Sequence, residues 1–180
     1  CGKGAGAAGV TSLARHTVRA VAPETASPAG VLRRLNASLL AHGGERFCTA
    51  VYAGIERALG GGPLLTVACG GHPAPLLATA AGEVRPLGRP GDLLGVLDEV
   101  ELTDEAVELR SGDAVLFFTD GVSEARRDLE FFGEERLAAL LADVRALGAE
   151  AVTCRIVDRV LEFQDGVPRD DIALVTLGVP

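Results

Sequence analysis

Methionine and tryptophan are absent from the 180 residues, tyrosine occurs once and cysteine four times. Cys1, Cys48, Cys69 and Cys154 show no CxxC spacing, and three of the four sit in apolar sequence suited to small buried thiols. Neither a zinc site nor a disulfide framework is indicated, and a reducing setting is expected. No uninterrupted apolar run reaches the length of a membrane span, and no basic start leads into the apolar middle of a signal peptide. The expectation is a cytoplasmic protein with no membrane-inserted segment. Dense positive charge is missing too: 17 Lys and Arg stand against 25 Asp and Glu, for a net of -8. The densest basic spots are the pairs Arg33-Arg34 and Arg126-Arg127, which excludes a sequence-independent binder of nucleic-acid backbones. The lack of methionine extends to position 1, so the sequence is expected to be a domain cut or processed from a longer chain.

What is present is a core. Hydrophobic residues make up 48% of the chain and charged residues 23%, at a length that suits one domain, residues 1–180. Apolar residues recur at helical spacing from Ala5 to Ala22, where Pro23 ends the run. Ser27 with Pro28 then opens a second helix that Gly43-Gly44 ends. Strand-like segments follow at Phe47–Ile55, Leu64–Cys69, Pro75–Thr79, Glu83–Leu87, Asp92–Leu97, Glu105–Leu109 and Ala114–Phe118, separated by turn residues that predict antiparallel neighbours in succession. Helices over Gly133–Arg145 and Ala149–Phe163 precede a last strand, Ile172–Val179. Helices, a run of strands, helices again and a final strand describe an α+β layered domain.

Three places carry candidate chemistry. Gly4-Ala5-Gly6-Ala7-Ala8-Gly9 fits the dinucleotide pattern G-x-G-x-x-G, but no strand precedes it and no acidic residue follows at the right distance, so a glycine-rich helix start is the better reading. His72, in Gly70-Gly71-His72-Pro73, lacks any partner of a catalytic or metal-ligating set and reads as a loop-fixing histidine. The third place is acidic. Asp120 stands at the exit of the strand Ala114–Phe118, and Asp170-Asp171 stand at the entrance of the strand that begins at Ile172. If these strands pair antiparallel, Asp120 and Asp170 meet at one sheet edge. Converging carboxylates suit a hard cation such as Mg²⁺ or Mn²⁺; the alternative is two unrelated turn aspartates at strand ends.

A series of motifs then occurs in order: Cys1-Gly2-Lys3-Gly4, Arg33-Arg34-Leu35-Asn36, Arg46-Phe47-Cys48-Thr49-Ala50, Gly70-Gly71-His72-Pro73, Pro86-Leu87-Gly88, Leu94-Gly95-Val96, Phe118-Thr119-Asp120-Gly121-Val122-Ser123-Glu124-Ala125, Phe132-Gly133 and Arg169-Asp170-Asp171-Ile172-Ala173. Together they resemble the bacterial PP2C-type serine/threonine phosphatase domain of the SpoIIE and RsbU kind, over essentially the whole chain. The composition, rich in alanine, glycine and arginine, suggests an actinobacterial source.

The resemblance implies an αββα sandwich, two antiparallel sheets flanked by helices. It implies two Mn²⁺ or Mg²⁺ ions held by Asp120 and Asp170, with Asp171 as a neighbouring or alternative ligand, and a role for Lys3 at the substrate phosphate. The implied reaction is hydrolysis of phosphoserine or phosphothreonine by metal-activated water, on a regulatory protein such as a phosphorylated anti-sigma-factor antagonist. The helices over Ala5–Ala22 and Ser27–Ala41 are implied to act as a switch or homodimerisation element driven by an attached sensory domain. The family pattern runs Asp-Val-x-Gly-Lys-Gly, and this sequence begins at x. The resemblance therefore places the metal-bridging aspartate just upstream of Cys1, so the domain is expected to be truncated at its N-terminus and the 180 residues alone to be inactive. Two competing readings are a catalytically silent signalling or binding module and a nucleotide-binding domain using the glycine-rich start.

Overall fold

The computed structural model describes residues 5–42 and 47–180. These divide into two compact units: one holds the described residues up to Ala74 together with Gly88–Glu108, the other Pro75–Leu87 with Leu109–Pro180.

The first unit opens with helix α1 (Ala5–Val21), a 3₁₀ turn at Ala22–Glu24 containing Pro23, and helix α2 (Pro28–Ala41). Helix α2 begins where its sequence says it should. The Ser27 hydroxyl accepts from the Gly30 N–H at 2.9 Å, and Pro28 fills a first-turn position whose missing N–H costs nothing. Asp104 reinforces the start, accepting from the Ala29 N–H at 2.6 Å and from the Ser27 hydroxyl. Leu32, Leu35 and Leu39 of α2 are buried with Val10 of α1 and Cys48, Ala68, Leu94 and Leu102 in one cluster. Each such leucine contributes roughly 1.5–3 kcal/mol by leaving water.

Strands β1 (Ala50–Arg57), β2 (Pro63–Gly70) and β5 (Glu105–Glu108) form the sheet of this unit, in the order β1-β2-β5. The β1–β2 hairpin runs in full antiparallel register from Ala50 opposite Gly70 to Arg57 opposite Pro63. The segment Asp92–Leu97, expected as a strand, is instead a loop with a single antiparallel bridge between Leu94 and Cys48. Asn36 explains the difference. Only 2% exposed, it receives the Gly95 N–H at 2.7 Å and donates to the Leu97 carbonyl at 2.9 Å, so a side chain satisfies groups that a ladder would have used.

The second unit is a four-stranded sheet in the order β4-β3-β6-β9, from β3 (Leu76–Ala78), β4 (Val84–Pro86), β6 (Ala114–Phe118) and β9 (Leu174–Gly178), every pair antiparallel. The expected succession of neighbours holds for the hairpins β1–β2 and β3–β4 only. Strand β5 returns to β2 and β6 to β3, pairings that short turns cannot reveal. Helices α4 (Gly133–Val144) and α5 (Ala149–Phe163) cover one face: Leu76, Ala78, Leu116 and Phe118 are buried against Leu137 and Leu141 of α4 and Val152, Ile156 and Val160 of α5. The period of two along β3 and β6 selects these residues. A one-turn helix α3 (Asp120–Ser123) and a small hairpin, β7 (Arg126–Arg127) with β8 (Glu130–Phe131), follow β6; the sequence pattern marks neither.

Of the remaining expectations, Gly6 and Gly9 lie inside α1 rather than in a phosphate-cradling loop, Gly4, Gly43 and Gly44 lie outside the described residues, and Cys154 is exposed, unlike the buried Cys48 and Cys69. Among the described residues no helix is long and apolar enough to cross a membrane. The Asn36 contacts predict that Asn36→Leu, which strands the Gly95 N–H and the Leu97 carbonyl, lowers stability by roughly 2–4 kcal/mol. Urea unfolding measures it, and an unchanged midpoint would show that the loop is held by something else.

Candidate functional site

Asp120 and Asp170 owe their placement to the pairing of β6 with β9. The register sets Ala114 opposite Gly178 and Phe118 opposite Leu174, so the end of β6 lies beside the approach to β9. The contact continues past the named strands. The Thr119 N–H donates to the Ala173 carbonyl at 3.1 Å, the Ala173 N–H donates to the Thr119 hydroxyl oxygen at 3.0 Å, and that hydroxyl donates to the Asp171 carbonyl at 2.9 Å. One residue thus clamps the two acidic turns together. Gly121 is in close approach on the other side: a Cβ there would collide with the Asp171 carbonyl oxygen, so only glycine lets the start of α3 sit against the Asp170-Asp171 peptide.

Each acidic turn fixes one oxygen of its own carboxylate. Asp120 Oδ1 accepts from the Gly121 N–H at 3.0 Å, and Asp170 Oδ1 accepts from the Asp171 N–H at 2.8 Å. Both side chains are exposed, as is Asp171, whose backbone rather than whose carboxylate takes part in the contacts. Asp120 is not at a simple strand exit; it is the first residue of α3, and its carbonyl accepts from the Glu124 N–H at 2.7 Å. Lys3 lies outside the described residues. In the first unit, His72 has Nδ1 at 3.0 Å from the Pro73 carbonyl oxygen, the loop-fixing arrangement expected of it.

The donor set fits a hard divalent cation. Asp120 and Asp170 each present oxygen ligands on turns held at a common edge, and Mg²⁺ in particular is commonly held by one or two carboxylates with water in its remaining positions. Among the described residues no group of three or more His, Cys, Asp or Glu converges to hold a metal. Two carboxylates alone fall short of a full coordination set.

The SpoIIE (stage II sporulation protein E) family model matches residues 1–180. The chain belongs to the SpoIIE family. Among curated proteins, the phosphoserine phosphatase RsbU of Bacillus subtilis is 27% identical over 179 residues, a match taking in 98% of this chain and 52% of that protein. The chain thus spans about half the length of this relative. Among solved structures, the SiaA-PP2C domain of Pseudomonas aeruginosa superposes with a TM-score of 0.77 at 19% identity, covering 100% of this chain and 73% of that one. The RsbU and RsbW domains of Rv1364c from Mycobacterium tuberculosis give 0.74 at 25% identity, covering 97% and 48%. The mixture of helices and antiparallel sheets is that of bacterial PP2C-type phosphatase domains, as the sequence motifs imply.

In this SpoIIE-family chain, sequence reasoning named the acidic residues but missed the work of Thr119. The signal was available: a hydroxyl residue between an apolar strand and an acidic turn, at the point where backbone pairing runs out. Thr119→Val keeps the volume and removes the hydroxyl, leaving the Ala173 N–H and the Asp171 carbonyl without it. The expected loss is about 1–3 kcal/mol in urea unfolding, with Thr119→Ser recovering most of it; equal stability of the Val and Ser proteins would contradict the clamp.

Proposed function

We propose that residues 1–180 belong to one metal-dependent phosphatase domain that removes phosphate from phosphoserine or phosphothreonine of a regulatory protein. The observation that carries this reading is the β6–β9 register, which sets Asp120 and Asp170 at one edge of the sheet in a chain matched from end to end by the SpoIIE family. Magnesium accompanies another protein of this fold, RsbX (TM-score 0.66, 15% identity, 97% of this chain and 75% of that one). A structure of the SpoIIE phosphatase domain of Bacillus subtilis comes from manganese-presoaked material.

In this reading Asp120 and Asp170 hold two Mn²⁺ or Mg²⁺ ions together with ligands from outside the described residues, and Asp171 stands beside them. The ions would supply a water of lowered pKa and neutralise charge on the phosphoryl oxygens. The protein's own contribution is positioning. The Gly121 and Asp171 N–H groups each fix one carboxylate oxygen and leave the other for coordination, while Thr119 holds the two turns at constant separation. A site held by backbone and a hydroxyl reorganises little during reaction, which is where such sites gain rate.

We extend the proposal to the setting. The substrate class is a phosphorylated anti-sigma-factor antagonist, and the protein works in the cytoplasm, consistent with the free thiols of Cys48, Cys69 and Cys154. Helices α1 and α2 transmit the state of an attached sensory domain, in a homodimer. The second reading, a catalytically silent binding module, draws on the partial metal-ligand set among the described residues.

The experiment is release of phosphate from a phosphoserine peptide by the full natural protein, with Mn²⁺ or with a chelator. Turnover is expected with Mn²⁺ alone, and Asp120→Asn or Asp170→Asn is expected to lower it by about 100-fold or more, since even residues one step removed from a metal cost 10–100-fold. Metal-independent turnover, or full activity in either variant, would overturn the proposal; no turnover at all with an intact metal response in binding would favour the silent module.

A further inference from the structure

The β7–β8 hairpin follows α3 after two residues, and with α4 and α5 it brings arginines beside phenylalanines. The Arg126 guanidinium lies 4.5 Å from the centre of the Phe131 ring, and those of Arg127 and Arg136 lie 4.9 and 5.2 Å from the centre of Phe163. Phe163 in turn meets Phe132 edge to face at 5.4 Å. Arg127, Phe132, Arg136, Arg159, Glu162 and Phe163 line an open recess of about 370 Å³, and the Arg126–Phe131 pair belongs to the adjoining hairpin. Three of the six phenylalanines of a chain poor in aromatics are thus collected in one place.

The charge there runs against that of the whole. Among the side chains that line the recess, Arg127, Arg136 and Arg159 outnumber Glu162, while the chain carries -8. Glu130 pairs with both Arg136 and Arg127, and those two hydrogen bonds hold its carboxyl below the ordinary carboxylate range. Arg159 pairs with Glu162 at 2.9 Å. Arg126 has stacking on Phe131 but no carboxylate partner among the described residues. Stacking on a ring fixes a guanidinium without using its N–H edge, so an anion arriving at Arg126 meets an ordered donor. Around it stand exposed apolar side chains, Leu129 at the hairpin tip, 94% exposed, and Phe131, 44% exposed. Arginine and aromatic residues with an apolar neighbour make up the composition that protein interfaces favour at their centres.

The position on the chain points to the partner. The recess is built from the segment that follows Asp120 and from the end of α5, with Arg127 seven residues after Asp120 and Phe163 seven before Asp170 in sequence. We propose that this arginine–phenylalanine platform is the docking surface for an acidic segment of the phosphoprotein substrate, engaged while its phosphorylated residue lies at Asp120 and Asp170. The identity of the partner rests on the phosphatase reading; the preference for acidic sequence rests on the platform alone. An acidic protein is repelled by most of a surface of net charge -8 and attracted at this patch, so the platform sets orientation as well as affinity.

The test uses the full natural protein and two phosphoserine peptides that differ only in flanks of Glu or Gln, with p-nitrophenyl phosphate as a small ester. The Glu-flanked peptide is expected to show the higher kcat/KM, by about tenfold at low salt and less at high salt. Arg126→Glu and Arg159→Glu should each erase most of that preference and leave turnover of the small ester unchanged. Glu130→Gln, which removes the internal competitor for Arg127 and Arg136, should raise it, an outcome that a merely structural hairpin would not give. Equal kcat/KM for the two peptides, or losses in the arginine variants that fall equally on the small ester, would overturn the docking surface while leaving the phosphatase reading in place. Binding of fluorescein-labelled, unphosphorylated Glu-flanked peptide, followed by anisotropy, separates the remaining case. Loss of that binding in Arg126→Glu, without turnover of any ester in the parent protein, supports the docking surface and overturns the phosphatase reading.

Discussion

The pairing of β6 with β9 extends one step beyond its last backbone rung through the Thr119 hydroxyl, which accepts from Ala173 and donates to the Asp171 carbonyl. Like charges on two turns repel, and nothing in local sequence preference brings them together. The ladder does so because its register is locked by burial: Leu116 and Phe118 face the α4–α5 cluster, and a slip of one residue would turn them to the opposite face. The core of the second unit therefore determines where the two carboxylates are. At the far end of the same strands, the buried Asp113 side chain accepts from the Ala80 and Arg110 N–H groups at 2.8 and 2.9 Å, fixing the start of β6 as Thr119 fixes its end.

The site is economical in its parts. Gly121 is needed because another residue would collide with the Asp171 carbonyl, and the N–H groups of Gly121 and Asp171 each hold one aspartate oxygen. Backbone does most of the positioning, and the side chains are left to supply charge. Such a division suits a hard cation, whose ligands must be oxygens at a fixed separation rather than any particular third residue. The nearby hairpin answers a different need. In a chain of net charge -8 the proposed docking of an acidic segment needs a region of opposite sign, which the arginines stacked on Phe131 and Phe163 would supply.

Much of this was legible in the sequence. Ser27 before Pro28 marked the start of α2, the period of helical apolar residues marked α4 and α5, and the two aspartates at opposite ends of two apolar strands stated a geometry that the β6–β9 register supplies. The misreadings have common causes. Asp92–Leu97 reads as a strand because its residues are apolar, yet Asn36, about 60 positions away in sequence, takes its polar groups. Cys154 is exposed because only one face of α5, that of Val152, Ile156 and Val160, meets the core. The hairpin β7–β8 is two rungs long, too short for any period, and its arginines acquire meaning only when Phe163, from another element, arrives beneath them.

The central claim is that Asp120 and Asp170 act as one ligand pair. Calorimetric titration of Mn²⁺ into the full natural protein, Asp120→Asn, Asp170→Asn and the double variant tests it without reference to any substrate. The account predicts that each single substitution weakens binding and that the double variant loses distinctly less than the two single losses combined, because either change already breaks the pair. Manganese affinity unchanged in either single variant, or losses that simply add, would contradict it.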